Sequence, residues 1–418
     1  MIAEDIANPF FLCKRKQVSR MNMPTRSCVF ITDGHWRKSL AAVRSLGEKG
    51  VFVSVGESTR LATACFSRYC SWAMAYPSPL QDPSGFLSFL EDELTRRPYQ
   101  MLLPMEEETL RLLAGHRSEF SDLTYLPIVS SRQLELARDK GKILQLATRL
   151  GIPTPRTWHV NDISRIDKLM GTLPYPVVIK PRTGSGATGI SYPKNPSELK
   201  EQYLAIHHRF PYPLIQEFVP REGSGYGASF LLDENHRVKA SFVHKRLREY
   251  PVTGGASTLR ESVRYDDIRD MGLSLLKALD WFGVAMVEFK LDPRDGIPKL
   301  MEINPRFWGS LSLAIQAGVD FPYLLYLMSL GRNFKPVENY ETGKKCRWLL
   351  PGDILHFIHN PGRMRLSPGF FAFWERNTAY DILSLHDPLP VLGRLLTPLT
   401  LLYDPDMKQR LKARKSPT

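Results

Sequence analysis

Two short runs, residues 286–292 (MVEFKLD) and 299–310 (KLMEINPRFWGS), carry the densest chemistry in this chain. Both alternate like strands, and the connection at 292–296 (DPRDG) has the composition of a hairpin-like loop. Side chains alternate across a strand, so Glu302 and Asn304 face the same way. Pairing of the two runs would bring Glu288 to the same point. Three hard oxygen ligands converging there suit Mg²⁺ bound together with nucleotide phosphates. Arg306, two residues further on, is a planar cation able to hold a phosphoryl group or a carboxylate. The flanking residues Met286, Val287, Phe289, Leu300, Met301 and Ile303 are apolar. Acids buried among them need partners, which a pair of solvated edge-strand carboxylates would not.

A second feature lies upstream. Residues 176–181 (PVVIKP) read as a buried strand ending at Lys180, followed by 182–189 (RTGSGATG). Gly184, Gly186 and Gly189 match G-x-G-x-x-G, a weak signal by itself. A dinucleotide site needs a helix opening directly from the glycines, whereas 190–193 (ISYP) is a β-like run stopped by proline. A protein kinase needs H-R-D and D-F-G, and neither occurs. A strand, a glycine-rich flap and a returning strand remain. Backbone N–H groups freed by glycine can close over phosphate oxygens, and Lys180 adds a mobile point charge.

With 137–140 (ARDK), 151–155 (GIPTP) and 216–220 (QEFVP), these segments resemble the ATP-grasp superfamily. The likeness is to the carbamoyl-phosphate-synthase-like carboxylate–amine ligases, over roughly 130–330 and more weakly before. The resemblance implies that Lys140 and Lys180 contact ATP phosphates and that the loop bearing Thr183, Gly184, Ser185, Gly186 and Gly189 folds over them. It makes Gln216, Glu217, Phe218 and the backbone near Val219 the hinge that reads adenine. Glu222 would orient the nucleotide, although 223–227 (GSGYG) departs from the commoner glycine–glutamate pattern. Glu288, Glu302 and Asn304 would hold Mg²⁺, or Mn²⁺ in its place, and Arg306 would stabilise the transferred phosphoryl group or an acyl phosphate. Phosphoryl transfer is mostly positioning and charge stabilisation, and this residue set supplies both.

Between hinge and metal strands, 241–257 (SFVHKRLREYPVTGGAS) reads as an anion-facing strand and a loop near the reacting centre. Lys245, Arg246 and Gly255 are its substrate candidates. A solvated charged strand is the alternative.

These residues need a scaffold of several units. A chain of 418 residues exceeds the usual single domain. The fold class is α/β and α+β: a disordered extension over 1–25, an N-terminal open parallel-sheet domain over 26–130, an ATP-grasp domain over 131–330 and a C-terminal extension over 331–418. A strand at 27–32, a helix at 38–49 ending at Gly50 and a strand at 51–55 make a parallel unit. The turn at 33–35 (DGH) lacks the full dinucleotide fingerprint. A strand at 99–104 leads into 105–109 (MEEET), where acids favour a helix start. Strand ends in open sheets also face the ligand crevice, so Glu106, Glu107 and Glu108 are further candidates. The resemblance implies that this domain helps bind the acceptor.

Other classes recede. Five cysteines (13, 28, 65, 70 and 346) form no C-x-x-C pair, and the odd count fits a reducing cytoplasm better than a disulfide framework. His207 and His208, in a loop-like segment, lack partners at zinc spacing. No run reaches membrane-spanning length, and the N-terminus reverses the order of a secretory signal. Net charge is +13, with a pI near 9.5. No nucleic-acid-binding signature accompanies it, so an anionic substrate, ATP or a membrane surface is the better account. The apolar run 391–403, interrupted by Pro398, could cap the ligase core, form a homodimer contact or lie on a membrane beside the basic tail 408–415; packing is the leading reading.

The function these readings support is ATP-dependent joining of a small-molecule carboxylate to an amine through an acyl phosphate, with release of ADP and phosphate. Carbamoyl or carboxyl transfer is the alternative within enzymes. A non-catalytic ATP-responsive binding protein is the alternative outside them.

Overall fold

The computed structural model describes residues 28–184, 189–252 and 254–400. The expected N-terminal extension, the flap residues Ser185 and Gly186, and the basic tail all lie outside these.

The chain opens with four parallel strands, β1 (Cys28–Ile31), β2 (Phe52–Glu57), β3 (Trp72–Ala75) and β4 (Met101–Leu103), ordered β3-β2-β1-β4. The first two are linked by the helix Arg37–Glu48. Gly50, at φ +78°, turns the chain out of that helix, a conformation costly for any residue with a Cβ. The strand–helix–strand reading of this region therefore holds, and the acids at 107 and 108 stand in the first turn of the helix Glu107–Gly115.

A small lobe follows, with strands β5 (Thr157–His159), β6 (Val177–Lys180) and β7 (Leu214–Glu217) in the antiparallel order β5-β7-β6. It has its own core of Val160, Ile166, Val177, Ile179, Leu199, Tyr203 and Ile215. The returning strand expected after the flap is reduced to a single bridge, Ser191 opposite Ile179. Proline at 193 stops it, because proline has no N–H to extend the ladder. His207 and His208 are not in a loop; they occupy the last turn of the helix Pro196–Arg209, and His207 Nδ1 accepts the Tyr212 N–H at 3.0 Å.

The large sheet has seven strands: β8 (Gly225–Leu232), β9 (Val238–Tyr250), β10 (Ala256–Ser262), β11 (Gly283–Leu291), β12 (Pro298–Asn304), β13 (Lys345–Arg347) and β14 (Thr378–Tyr380). Their order is β12-β11-β8-β9-β10-β13-β14, antiparallel except for the last pair. Residues beyond 331 thus extend the same sheet. The two large hydrophobic clusters also mix regions: Phe30 shares one with Phe230 and Trp281, and Val53 shares the other with Trp308 and Phe321. This shared core locks the N-terminal sheet against the large one and fixes the cleft between them.

Candidate nucleotide and acceptor site

One cavity of about 500 Å³ runs between the small lobe, the large sheet and the N-terminal sheet. Nine basic and five acidic side chains line it, so it favours an anionic occupant.

At the end between the two lobes, β11 and β12 pair antiparallel with Glu288 opposite Glu302 and Met286 opposite Asn304. The Asn304 amide donates to Glu288 Oε1 at 2.9 Å. Lys140 Nζ lies 3.2 Å from Glu302 and donates to the Gly184 carbonyl at 2.6 Å. Lys140 is placed by its helix, Lys140–Arg149, whose start is capped by Asp139; the same carboxylate holds Arg182 at 2.9 Å. Lys180 is buried, and burial, reinforced by Lys140 and opposed by Glu302, lowers its pKa to about 7. Burial pushes Glu288 above the usual carboxylate range, against Arg246 and with Glu302 adding to the rise. Glu302 is also pushed up by burial, but Lys140, Lys180 and Arg246 outweigh it and hold the group low.

Arg246 reaches Glu288 from two strands away. It can do so because β8, which lies between, presents Gly225 and Gly227 on this face. A Cβ at 227 would stand 2.4 Å from the His244 ring, and one at 225 would stand 3.1 Å from Arg246. The alternating glycines of 223–227 are thus a channel across the sheet, a signal that sequence reading noted only as a departure from pattern.

Gln216 and Glu217 spend their side chains on structure. The Gln216 amide donates to Thr157 Oγ1 at 2.8 Å, and Glu217 accepts from Lys299 at 3.0 Å and Arg294 at 3.2 Å. Lys290 Nζ donates to the Val219 carbonyl at 3.2 Å, tying the hinge backbone to the large sheet.

The other end was largely invisible in the sequence. Here His35 and Trp36 from the turn after β1, Arg37 and Lys38 from the start of the helix that follows, and Glu106 from the turn after β4 meet Trp308, Trp348 and Arg394. Asp33, at φ +60°, joins these turns: its carboxylate accepts from Glu106 N–H and Thr109 Oγ1, each at 2.9 Å. Lys38 donates to the Phe307 carbonyl at 3.1 Å and pairs with Glu106 at 2.7 Å. Arg37 lies 4.1 Å over the Trp348 ring and donates to the Ser257 carbonyl. His244 is held neutral by burial, then by Arg246 and Arg260, which push its pKa well below the ordinary value. Arg246 Nε, Arg306 Nε and Trp308 Nε1 are buried with no hydrogen-bond partner among the described residues, a debt that a bound polar ligand would settle.

Of the sequence candidates, Lys140, Lys180, Thr183, Gly184, Gln216, Glu217, Phe218, Val219, Arg246, Gly255, Glu288, Glu302, Asn304 and Arg306 line the cavity. Lys245 does not. It alternates with His244 and Arg246 and so faces the other side of β9, opposite Tyr226. Glu222 is exposed and outside the lining, as the chain turns away before β8. Gly189 packs on Pro181 and Phe210. Glu106 lines the cavity, whereas Glu107 pairs with Arg138. Among the described residues no three His, Cys, Asp or Glu side chains form a metal cluster. The candidate set is instead two carboxylates and an amide oxygen, a hard but incomplete donor set that fits Mg²⁺ completed by phosphate oxygens.

The profile of a family described as ATP-grasp in the biosynthetic pathway with Ter operon matches residues 232–349. The N-terminal section of the carbamoyl phosphate synthase large chain of Methanopyrus kandleri is 27% identical over 222 residues, half of this chain. The chain spans only 38% of that relative's length. Among solved structures, the biotin carboxylase domain dimer of the Hydrogenobacter thermophilus 2-oxoglutarate carboxylase, in complex with MgADP, ADP and bicarbonate, aligns with a TM-score of 0.64 at 14% identity. The alignment covers 76% of this chain and 73% of that one. An L-amino acid ligase from Bacillus licheniformis aligns with a TM-score of 0.56 at 17% identity, covering 76% of each chain. The fold is the ATP-grasp fold, and the ATP-grasp family match is confined to residues 232–349.

Proposed function

We propose that the chain is an ATP-dependent carboxylate–amine ligase. The observation that carries this reading is the single cavity that joins a phosphate-suited end, with Lys140, Lys180, Glu288, Glu302 and Asn304, to a second end walled by the N-terminal sheet. A likeness to the L-amino acid ligase fold supports it. Lys140 and Lys180 neutralise ATP phosphates, and the hinge backbone from Glu217 to Val219 seats the adenine. Glu288, Glu302 and Asn304 would hold Mg²⁺, which offsets phosphate charge. A carboxylate oxygen of the substrate bonds to the γ-phosphorus as the bond to the β-phosphate oxygen breaks, giving an acyl phosphate and ADP. Arg306 holds the transferred group. The amine then bonds to the acyl carbon, phosphate leaves, and the amine nitrogen loses its proton. The loop at 183–189 keeps water from the acyl phosphate, which hydrolyses readily.

Bicarbonate as the carboxylate, giving carboxyl or carbamoyl transfer, is a second reading, supported by the bicarbonate in the biotin carboxylase complex. A reducing cytoplasm suits the four described cysteines, all free. The test is MgATP-dependent ADP release across pools of amino acids, small carboxylates and amines, with bicarbonate varied separately and Glu302→Gln protein as the blank. Release needing both an organic acid and an amine supports the ligase. Release needing bicarbonate supports the second reading, and ATP binding without turnover in every pool removes both.

A further inference from the structure

The helix Pro390–Thr400 is docked the wrong way round for a core helix. Its buried positions are Pro390, Gly393, Thr397 and Thr400, small or weakly polar residues. Gly393 meets Phe66 and Thr63 so closely that a Cβ there would stand 2.6 Å from the Phe66 ring. The outward face carries Leu392, Leu395 and Leu399, at i, i+3 and i+7, each about half exposed or more. Leu389 continues the face, and Leu385, just before it, is 99% exposed. Monomeric proteins rarely leave such an apolar stripe in water.

We propose that this leucine face is a docking surface for an anionic lipid bilayer, which it enters in the plane of the interface. Two observations favour a lipid surface over a second copy of the chain. The leucine face of this helix, about 16 Å long and about 10 Å wide, offers on the order of 160 Å², well short of the roughly 800 Å² per partner that a stable dimer buries. Two copies each carrying +13 also repel. In contrast, residues 401–418 add Lys408, Arg410, Lys412, Arg414 and Lys415 against only Asp404 and Asp406. Leucines beside a basic cluster are the composition of in-plane membrane binding, and anionic headgroups attract the cations. Among the described residues no helix is long and apolar enough to cross a membrane. The proposal does not depend on the reaction.

The test is sedimentation of the full chain with vesicles of phosphatidylcholine alone or with about one-third phosphatidylserine. The expected result is binding to the anionic vesicles that is roughly tenfold tighter than to neutral ones and weakened by salt. Leu392→Glu with Leu395→Glu should reduce it at least about tenfold at an unchanged melting temperature, both sites being exposed. A second variant with the five tail cations changed to glutamine leaves the helix untouched and should also lose binding. Absence of binding overturns the proposal. Binding that survives the leucine changes also overturns it, since net charge alone then suffices. A dimer seen by light scattering and broken by Leu392→Glu, without vesicle binding, assigns the face to a second copy instead.

Discussion

The two ends of the cavity are built in opposite ways. The lobe end is assembled from continuous motifs: Glu288 and Glu302 meet because two adjacent strands pair, and Lys140 meets Gly184 because one capped helix begins beside the flap. The N-terminal end is assembled from turns, the start of the first helix and the final helix, between residue 35 and residue 394. Charge density is local at the first end, with paired cations and carboxylates. The second end mixes cations with Trp36, Trp308 and Trp348. Nucleotide chemistry needs a fixed electrostatic frame, while acceptor choice can be adjusted by loops that the scaffold merely holds.

If that division is right, changes at each end should separate kinetically. The largest effect is expected from Glu302→Gln, which keeps the shape but removes a charge from the phosphate end. Acceptor-dependent ADP release should fall by roughly a thousandfold, several kcal/mol of charge stabilisation. Ordinary activity at millimolar Mg²⁺ would end the metal assignment.

Lys180→Ala should raise the KM for ATP by about ten- to a hundredfold, the worth of one charge-assisted hydrogen bond, and leave the acceptor KM nearly unchanged. Equal rises in both would blur the comparison and remove Lys180 from the phosphate contacts.

Arg394→Gln should do the reverse, raising the acceptor KM by about tenfold with little change for ATP. An ATP-only effect would mean that the C-terminal helix does not border the acceptor.

The smallest expected effect is a pH dependence. Burial, then Arg306, lowers Lys38 from 10.5 to about 8, with Glu106 opposing. Below pH 8 both folded and unfolded chains carry the ammonium. Between pH 8 and 10.5 the unfolded chain binds the extra proton, so the Lys38 contribution to stability rises with pH. Relative to Lys38→Met, the wild-type urea midpoint should therefore climb from pH 8 to pH 10. A flat difference would mean that Lys38 is not desolvated.

How much could be read beforehand follows the same line. The parallel β1–β2 unit and the pairing of the two acid-bearing strands came from periodicity, because alternation and turn residues act over a few positions. Lys245, a candidate from the basic stretch 244–248, faces away from the cavity, whereas His244 beside it lines the wall. Strand phase relative to the cavity decides which residue faces in, and a one-residue shift reverses every side chain. The glycines at 225 and 227 were read as a deviation, yet their role appears only when β9 and β11 flank β8 and Arg246 crosses to Glu288.

The local elements, the candidate phosphate-binding residues and the basic balance of the chain are legible in the residue order, since each depends on near neighbours or on composition. Only the tertiary structure decided that residues 35–38 and 106 face Trp348 and Arg394 across one cavity. It also decided that the final helix turns its leucines outward. Both arrangements depend on a core shared between regions far apart in sequence, and packing complementarity over such distances leaves no periodic trace in the chain.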